Sequence, residues 1–324
     1  MSGWSRLNRG ETTIDFVGHR RRWFAISAVL LVISIASFGI RQLNLGIEFE
    51  GGLGLQAPNP AGAGVSDIRA ALTSVGLEDA TIQLVNDGAA VRITTRELDD
   101  ETLNAAVDAV ADVTGSDRTD ISIEAVGPSF GALVARRALI ALAVFLSVAV
   151  VFISWRLELK MALAGLAALF HDLVITLGVY SLTGFPVTPA TVVAILVILG
   201  YSLYDTVVVF DKVEELIEIE EELKKPKKTI SEIINESMNS VLARSLATSL
   251  TSLLPIGSIL FVGSFLLGAP TLRDFALALF VGIAAGTYSS IFVAAPLLAA
   301  WKEREDTWIE RAELAESGSK QGRA

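Results

Sequence analysis

The chain has 324 residues, is 52% hydrophobic and carries a formal net charge of -10, with a mean hydropathy of +0.55. That balance indicates an integral membrane protein with one modest polar part. It contains no cysteine and two histidines, which excludes disulfide and thiol chemistry and argues against a metal site, and its acidity outside the loops argues against nucleic acid as a partner.

Residues 1–22 form a basic cytoplasmic segment ending in His19, Arg20, Arg21 and Arg22. The following run, WFAISAVLLVISIASFGI, is long for a signal peptide and has no clear small-x-small cleavage site, so residues 23–42 are expected to be an uncleaved first span. Residues 43–137 then form an extramembrane domain, in which Gly46 to Phe130 hold fifteen Asp/Glu against four Arg. Strand-like stretches run over Leu45–Gln56, Thr81–Val85, Ala90–Thr95 and Ile121–Val126, while Val65–Val75 and Asp99–Val113 have apolar residues at helical spacing. Short strands interleaved with helices predict a small α+β unit with helices on one face of a sheet. Gly51, Gly52 and Gly54 mark bulges or close backbone approach. Asp99, Asp100 and Glu101 read as a helix start, where acidic residues favour the dipole. No catalytic constellation appears, so neither an enzyme nor a cofactor is expected.

Residues 138–301 carry five more apolar stretches, near Ala138–Trp155, Met161–Leu182, Pro189–Phe210, Ser245–Phe265 and Phe275–Trp301. Each approaches the roughly 20 residues needed to cross about 30 Å of hydrocarbon. Within this group, 212–240 form a cytoplasmic loop containing EELIEIEEELKKPKKTISEIINES, an amphipathic segment expected to be a helical hairpin broken at Pro226. Residues 302–324 are a polar cytoplasmic tail, expected to be disordered. The predicted fold class is an α-helical integral membrane protein: six transmembrane helices with one small α+β extracytoplasmic domain between the first two. Basic residues set the orientation. The N-terminal arginines, Arg156 with Lys160, the loop lysines Lys224, Lys225, Lys227 and Lys228, and Lys302 with Arg304 share one side. Both termini are therefore expected in the cytoplasm and the domain outside it. Arg136 and Arg137 fall on the other side, as interfacial anchors.

The fourth stretch, ILVILGYSLYDTVVVFDK, contains Asp205. An ionised Asp at a helix centre carries a penalty of roughly 2.5 to 3.5 kcal/mol, so such residues face a bundle interior and tend to be functional. A second intramembrane charge, Arg244, begins the fifth stretch on an antiparallel neighbour at compatible depth, so the two could pair as a proton or ion relay. The alternatives are a helix-packing hydrogen bond for Asp205 and snorkelling to lipid phosphates for Arg244. Asp211, followed by Lys212, reads as interfacial. Thr248 and Thr251 follow Arg244 at helical steps, either lining a water path or bonding within their own helix. His171 and Asp172 form a mid-membrane pair that could relay protons or cap a neighbouring helix. Gly282, Gly286 and Ser290 give the sixth stretch a small-residue face for close helix packing.

Several motifs occur together and in order: NLGIEFEGG after the first span, VGPSFG before the second, ALFHDLVITLG in the third and GYSLYDTVVVFDK in the fourth. ARSLATSLTSLLP in the fifth and FALALFVGIAAGTYSSIFVAAPLL in the sixth complete the set. On these residues the chain resembles the SecF family, the smaller membrane subunit of the bacterial SecDF translocation accessory, within the resistance-nodulation-division superfamily. The resemblance implies a plasma-membrane protein with a SecD-like six-span partner. It also implies a complex that works with the Sec translocation channel and its accessory proteins, and uses the proton gradient to help unfolded exported polypeptides leave. It places the family's proton-transport Asp and Arg on Asp205 and Arg244. Membrane lipids surround such a subunit. Two other readings are a half-size proton-coupled exporter of the same superfamily and a scaffold subunit that moves no ions.

Overall fold

The computed structural model describes residues 12–85, 87–222, 228–263 and 270–321. Among the described residues, six helices are long and apolar enough to cross a membrane: Arg20–Arg41, Ser129–Arg156, Leu159–Thr183, Pro189–Glu221, Ile230–Val262 and Leu272–Lys302. They are the first to sixth spans below. A four-stranded antiparallel sheet with helices lies between the first and second, so the expected fold class is the one observed.

The third, fourth and sixth spans form the inner layer of the bundle, while the first, second and fifth leave most of their surface outward. Small residues explain why the fourth and sixth approach so closely. A Cβ on Gly282 would lie 2.3 Å from Ile198, and one on Gly286 would lie 3.1 Å from Ser202. One turn further, Ser290 and Thr206 share a 3.0 Å hydrogen bond. Residues 198, 202 and 206 thus meet 282, 286 and 290 in four-residue steps on both helices, a ridge-to-groove register that depends on the small side chains of the sixth span. The first span docks on the third by the same means. Ser37 bonds Ser181 at 2.8 Å, and a Cβ on Gly178 would fall 2.1 Å from the Ser34 hydroxyl.

Strands β1 (Gly52–Pro58), β2 (Thr81–Val85), β3 (Ala90–Thr95) and β4 (Ser122–Val126) run in the order β2-β3-β1-β4. Leu53, Leu55 and Ala57 of β1 alternate with the less buried Gly54, Gln56 and Pro58 and share a core with Val91 and Ile93 of β3. That core also takes Ile68 and Leu72 from helix Val65–Ser74, and Ala106, Val107 and Val110 from helix Asp100–Thr114. The second helix is capped by Asp99, which accepts from the Thr102 N–H; this backbone bond, first among several hydrogen bonds, holds the Asp99 carboxyl below its ordinary range.

The structure corrects the start of β1, expected at Leu45. Leu45 makes only an isolated bridge to Val187, and Ile47–Glu50 forms a helical turn. Gly51 and Gly52 follow with φ of 78° and 126°, a region that favours glycine, and the strand begins only at Gly52. A side chain on Gly52 would meet the Thr95 carbonyl at 2.4 Å. Ile47 and Phe49 are buried, because the helix Pro128–Arg156 starts against this turn: a Cβ on Gly131 would lie 2.8 Å from the Phe49 carbonyl.

The polar face of the sheet is fastened to the ends of the spans. Gly46 N–H donates to Val187 O at 2.8 Å, and Val187 N–H to Asn44 O at 2.7 Å. Gln83 and Asn44 side chains both donate to Gly184 O at 2.9 Å. Arg92 of β3 pairs with Asp274 at the start of the sixth span, 3.3 Å apart, and Arg273 pairs with the same carboxylate at 3.2 Å.

At the opposite end, the fourth and fifth helices run on past their apolar stretches and form the hairpin of the 212–240 segment. Lys224, Lys225, Pro226 and Lys227 lie outside the described residues. Val213, Ile230, Ile233, Ile234 and Met238 pack there with Phe16 and Val17. The segment before the first span is held by two asparagines: Asn239 Oδ1 accepts from Ile14 N–H, and Asn235 Oδ1 from Phe16 and Val17 N–H. The tail expected to be disordered instead forms helix Asp306–Gln321. Trp308 anchors it, buried in the same core with the Lys302 and Arg311 cations over its ring.

Candidate functional site

Asp205 lies on the inner side of the fourth span and is 5% exposed. Its partner comes from the fifth span, where the Ser245 hydroxyl is 2.7 Å from both carboxylate oxygens. Four residues on, Ser249 continues this face: it accepts from Tyr201 of the fourth span at 3.1 Å and shares a 2.6 Å bond with Thr287 of the sixth. Arg244 points elsewhere. It is exposed on the outer side and donates to the Tyr204 hydroxyl at 2.9 Å. Among the described residues, no ion pair joins Arg244 to Asp205. Thr248 and Thr251 bond to carbonyls of their own helix, those of Arg244 and Ser245 and those of Ala247 and Thr248. Asp211 is held by Arg156 at 2.8 Å, near the end of the second span.

His171 and Asp172 form a second centre. Asp172 is fully buried, and its Oδ2 accepts from Ser202 of the fourth span at 2.5 Å and Ser289 of the sixth at 2.8 Å. Its Oδ1 lies 3.1 Å from His171 Nδ1. The His171 ring stacks on Tyr288, centroids 6.1 Å apart, and Tyr288 in turn donates to the Trp23 carbonyl of the first span at 3.0 Å. The two centres meet along the sixth span, since Ser289 touches Asp172 while Ser290 bonds Thr206, the neighbour of Asp205.

The helix widens into a π turn from Ser290 to Ala294. Pro296 follows it and has no N–H to offer the Phe292 carbonyl, a standard cause of local unwinding. Such turns gather at functional positions.

Chemically, both carboxylates are surrounded by hydroxyls, each of which donates one proton and accepts as well. A buried carboxyl is tolerated in this setting because its oxygens are bonded. Among the described residues there is no cluster of three or more His, Cys, Asp or Glu able to hold a metal. The serines at 202, 245, 249 and 289 had no signal of their own in the sequence. Ser202 was the most accessible of them, three residues before Asp205 and hence on a neighbouring face.

Residues 106–304 match the family described as protein export membrane protein SecD/SecF, C-terminal. The chain is 40% identical to the protein translocase subunit SecF of Streptomyces coelicolor over 301 residues, covering 93% of this chain and 80% of that one. It is 38% identical to the SecF of Mycobacterium leprae, covering 94% and 68%. Among solved structures, it is similar to the crystal structure of SecDF, a translocon-associated membrane protein, from Thermus thermophilus. The TM-score is 0.80 at 32% identity, covering 91% of this chain and 39% of that chain. A second crystal structure, SecDF in a super-membrane-facing form, gives a TM-score of 0.60 at 29% identity, covering 97% and 40%. The chain thus spans about two-fifths of the SecDF chains it matches. It belongs to the SecF family of protein translocase subunits.

Proposed function

We propose that this multi-pass subunit pairs with a SecD-like six-span partner and uses the proton gradient to promote passage of exported polypeptides through the Sec channel. Asp205 is the proton-carrying group. The observation that supports this most is the Asp205–Ser245 contact, a buried carboxyl held by a hydroxyl and not neutralised by a cation. A hydroxyl donates to the carboxylate and accepts from the acid, so the contact persists in both protonation states. One charge crossing 100 mV of potential gains about 2.3 kcal/mol, which biases a two-state equilibrium about fifty-fold.

Arg244 and Tyr204 support the partner. An arginine facing lipid at the start of an apolar stretch carries a penalty, smaller than the roughly 2.5 to 3.5 kcal/mol of a helix centre. A second subunit seated over this outward face removes it, and a shift at that interface swings the guanidinium toward Asp205, as the family pattern implies. In the orientation set by the basic residues, both termini are cytoplasmic and the α+β domain is outside.

Two experiments test the reading. Co-purification from membranes recovers a six-span partner, and an Arg244→Ala, Tyr204→Ala variant recovers less; recovery of no such partner contradicts the pairing. Proton flux into vesicles holding the purified complex is abolished in Asp205→Asn; unchanged flux contradicts the role of the carboxyl.

A further inference from the structure

The Asp172 centre has the properties of a group that changes protonation state, and the proton count shows why. Ser289 Oγ has a single proton and two acceptors within reach: Asp172 Oδ2 at 2.8 Å and the Gly286 carbonyl at 3.1 Å. With Asp172 ionised, Ser289 donates to the carboxylate. With Asp172 protonated on Oδ1, the acid donates to His171 Nδ1 while Oδ2 still accepts from Ser202 and Ser289. Both oxygens of Asp172 are satisfied in either state, without moving the backbone. A purely structural Asp would need only one of these arrangements.

A second titratable side chain stands beside the carboxyl. His171 is 4% exposed, its Nδ1 faces Asp172, and its Nε2 has no hydrogen-bond partner among the described residues. An imidazole with one nitrogen on a carboxyl and the other open is arranged to pass a proton. The titratable groups facing this centre are His171 on the same span and Tyr288 on the sixth, stacked on the imidazole. The fourth span presents Ser202 to it, with Asp205 three residues further along. Gly286 permits the whole cluster, since a Cβ there would lie 3.1 Å from Ser202 and 3.5 Å from Asp172 Oδ2.

We propose that Asp172 is a second proton-carrying group of this bundle, distinct from Asp205 and loaded through His171. The proposal rests on the reading that the bundle carries protons. In one loading event, a proton from the gradient bonds to His171 Nε2 and gives the imidazolium. The Nδ1 proton then moves to Asp172 Oδ1. Two bonds form, N–H at Nε2 and O–H at Oδ1, one N–H at Nδ1 breaks, and the ring is left neutral as its other tautomer.

The test is infrared difference spectroscopy on the full chain with its partner in lipid, between alkaline and acidic pH. Subtracting each variant's spectrum from that of the wild type isolates its carboxylic C=O band. Asp172→Asn removes one band and Asp205→Asn a different one. A spectrum of Asp172→Asn identical to wild type overturns the proposal, because Asp172 then stays in one state. Loss of a band in Asp172→Asn but none in Asp205→Asn upholds it and overturns the assignment of Asp205 instead. Where Asp172→Asn fails to insert, Ser289→Ala keeps the carboxyl and removes one partner. It shifts the frequency of one C=O band, and no shift overturns the proposal. His171→Asn, which hydrogen-bonds but does not titrate, slows growth of the Asp172 band after a pH jump by about 100-fold; an unchanged rate removes His171 from the path.

Discussion

Ser245 places one hydroxyl 2.7 Å from both carboxylate oxygens of Asp205, across the contact between the fifth and fourth spans. Ser290 of the sixth span is the second hydroxyl that bonds that carboxylate, and with no ion pair to it among the described residues its charged state depends on these serines, Ser245 first.

Ser245→Ala leaves the carboxylate short of a donor. A hydrogen bond to a charged group contributes about 1.5 to 3 kcal/mol, so the variant is expected to lose most proton-dependent export at normal abundance. Ser245→Thr keeps the hydroxyl and retains it. Export measured in inverted membrane vesicles decides the point; equal export by the two variants removes the serine from the mechanism.

The register of the fourth and sixth spans gives a stability prediction. Gly282→Ala puts a methyl 2.3 Å from Ile198, and overpacking of this kind typically destabilises by about 1 to 3 kcal/mol. The thermal midpoint in detergent is expected to fall, and adding Ile198→Ala to recover part of the loss. A midpoint unmoved by Gly282→Ala means the two helices are not in this contact.

The junction below the sheet should respond to pH. Burial pushes the Glu48 carboxyl above its ordinary range, with Glu124 and Asp274 adding to the shift and Arg92 opposing it. The folded junction therefore holds this proton more tightly than the open one. Its contribution is complete below the ordinary glutamate pKa of about 4.3 and is lost as pH rises through the elevated value. Hydrogen exchange of the Gly46 and Val187 amides, which bond across the junction, reads this directly. After correction for intrinsic rates, their protection is expected to decrease through that window in the wild type and to stay level in Glu48→Gln. Identical profiles for the two would place Glu48 outside the linkage.

The apolar stretches, the four strands and both domain helices could be read from the sequence because burial against a single neighbour leaves a period of two or 3.6. Leu45–Gln56 could not be divided correctly, since the turn at Ile47–Glu50 is imposed by the second span packing on it, a contact distant in sequence. Asp205 and Asp172 stood out as charges in apolar runs. Which face of the fifth span turns inward did not stand out. In a helix surrounded by lipid and protein, both faces are apolar, and the visible cue was the cation, Arg244. The inner face is one residue along, at Ser245 and Ser249, and it became visible only through their partners Asp205, Tyr201 and Thr287.

Coupling of export to the proton gradient by Asp205 is tested most directly by measuring export into inverted membrane vesicles, with and without an imposed proton gradient. Asp205→Asn preserves shape and hydrogen bonding but does not ionise. It is expected to insert, to keep its partner, and to export at the same rate with and without the gradient. Asp205→Glu, displaced by one methylene, falls between this variant and the wild type. Stimulation of Asp205→Asn by the gradient to the wild-type extent would contradict the account, leaving the carboxyl a packing group.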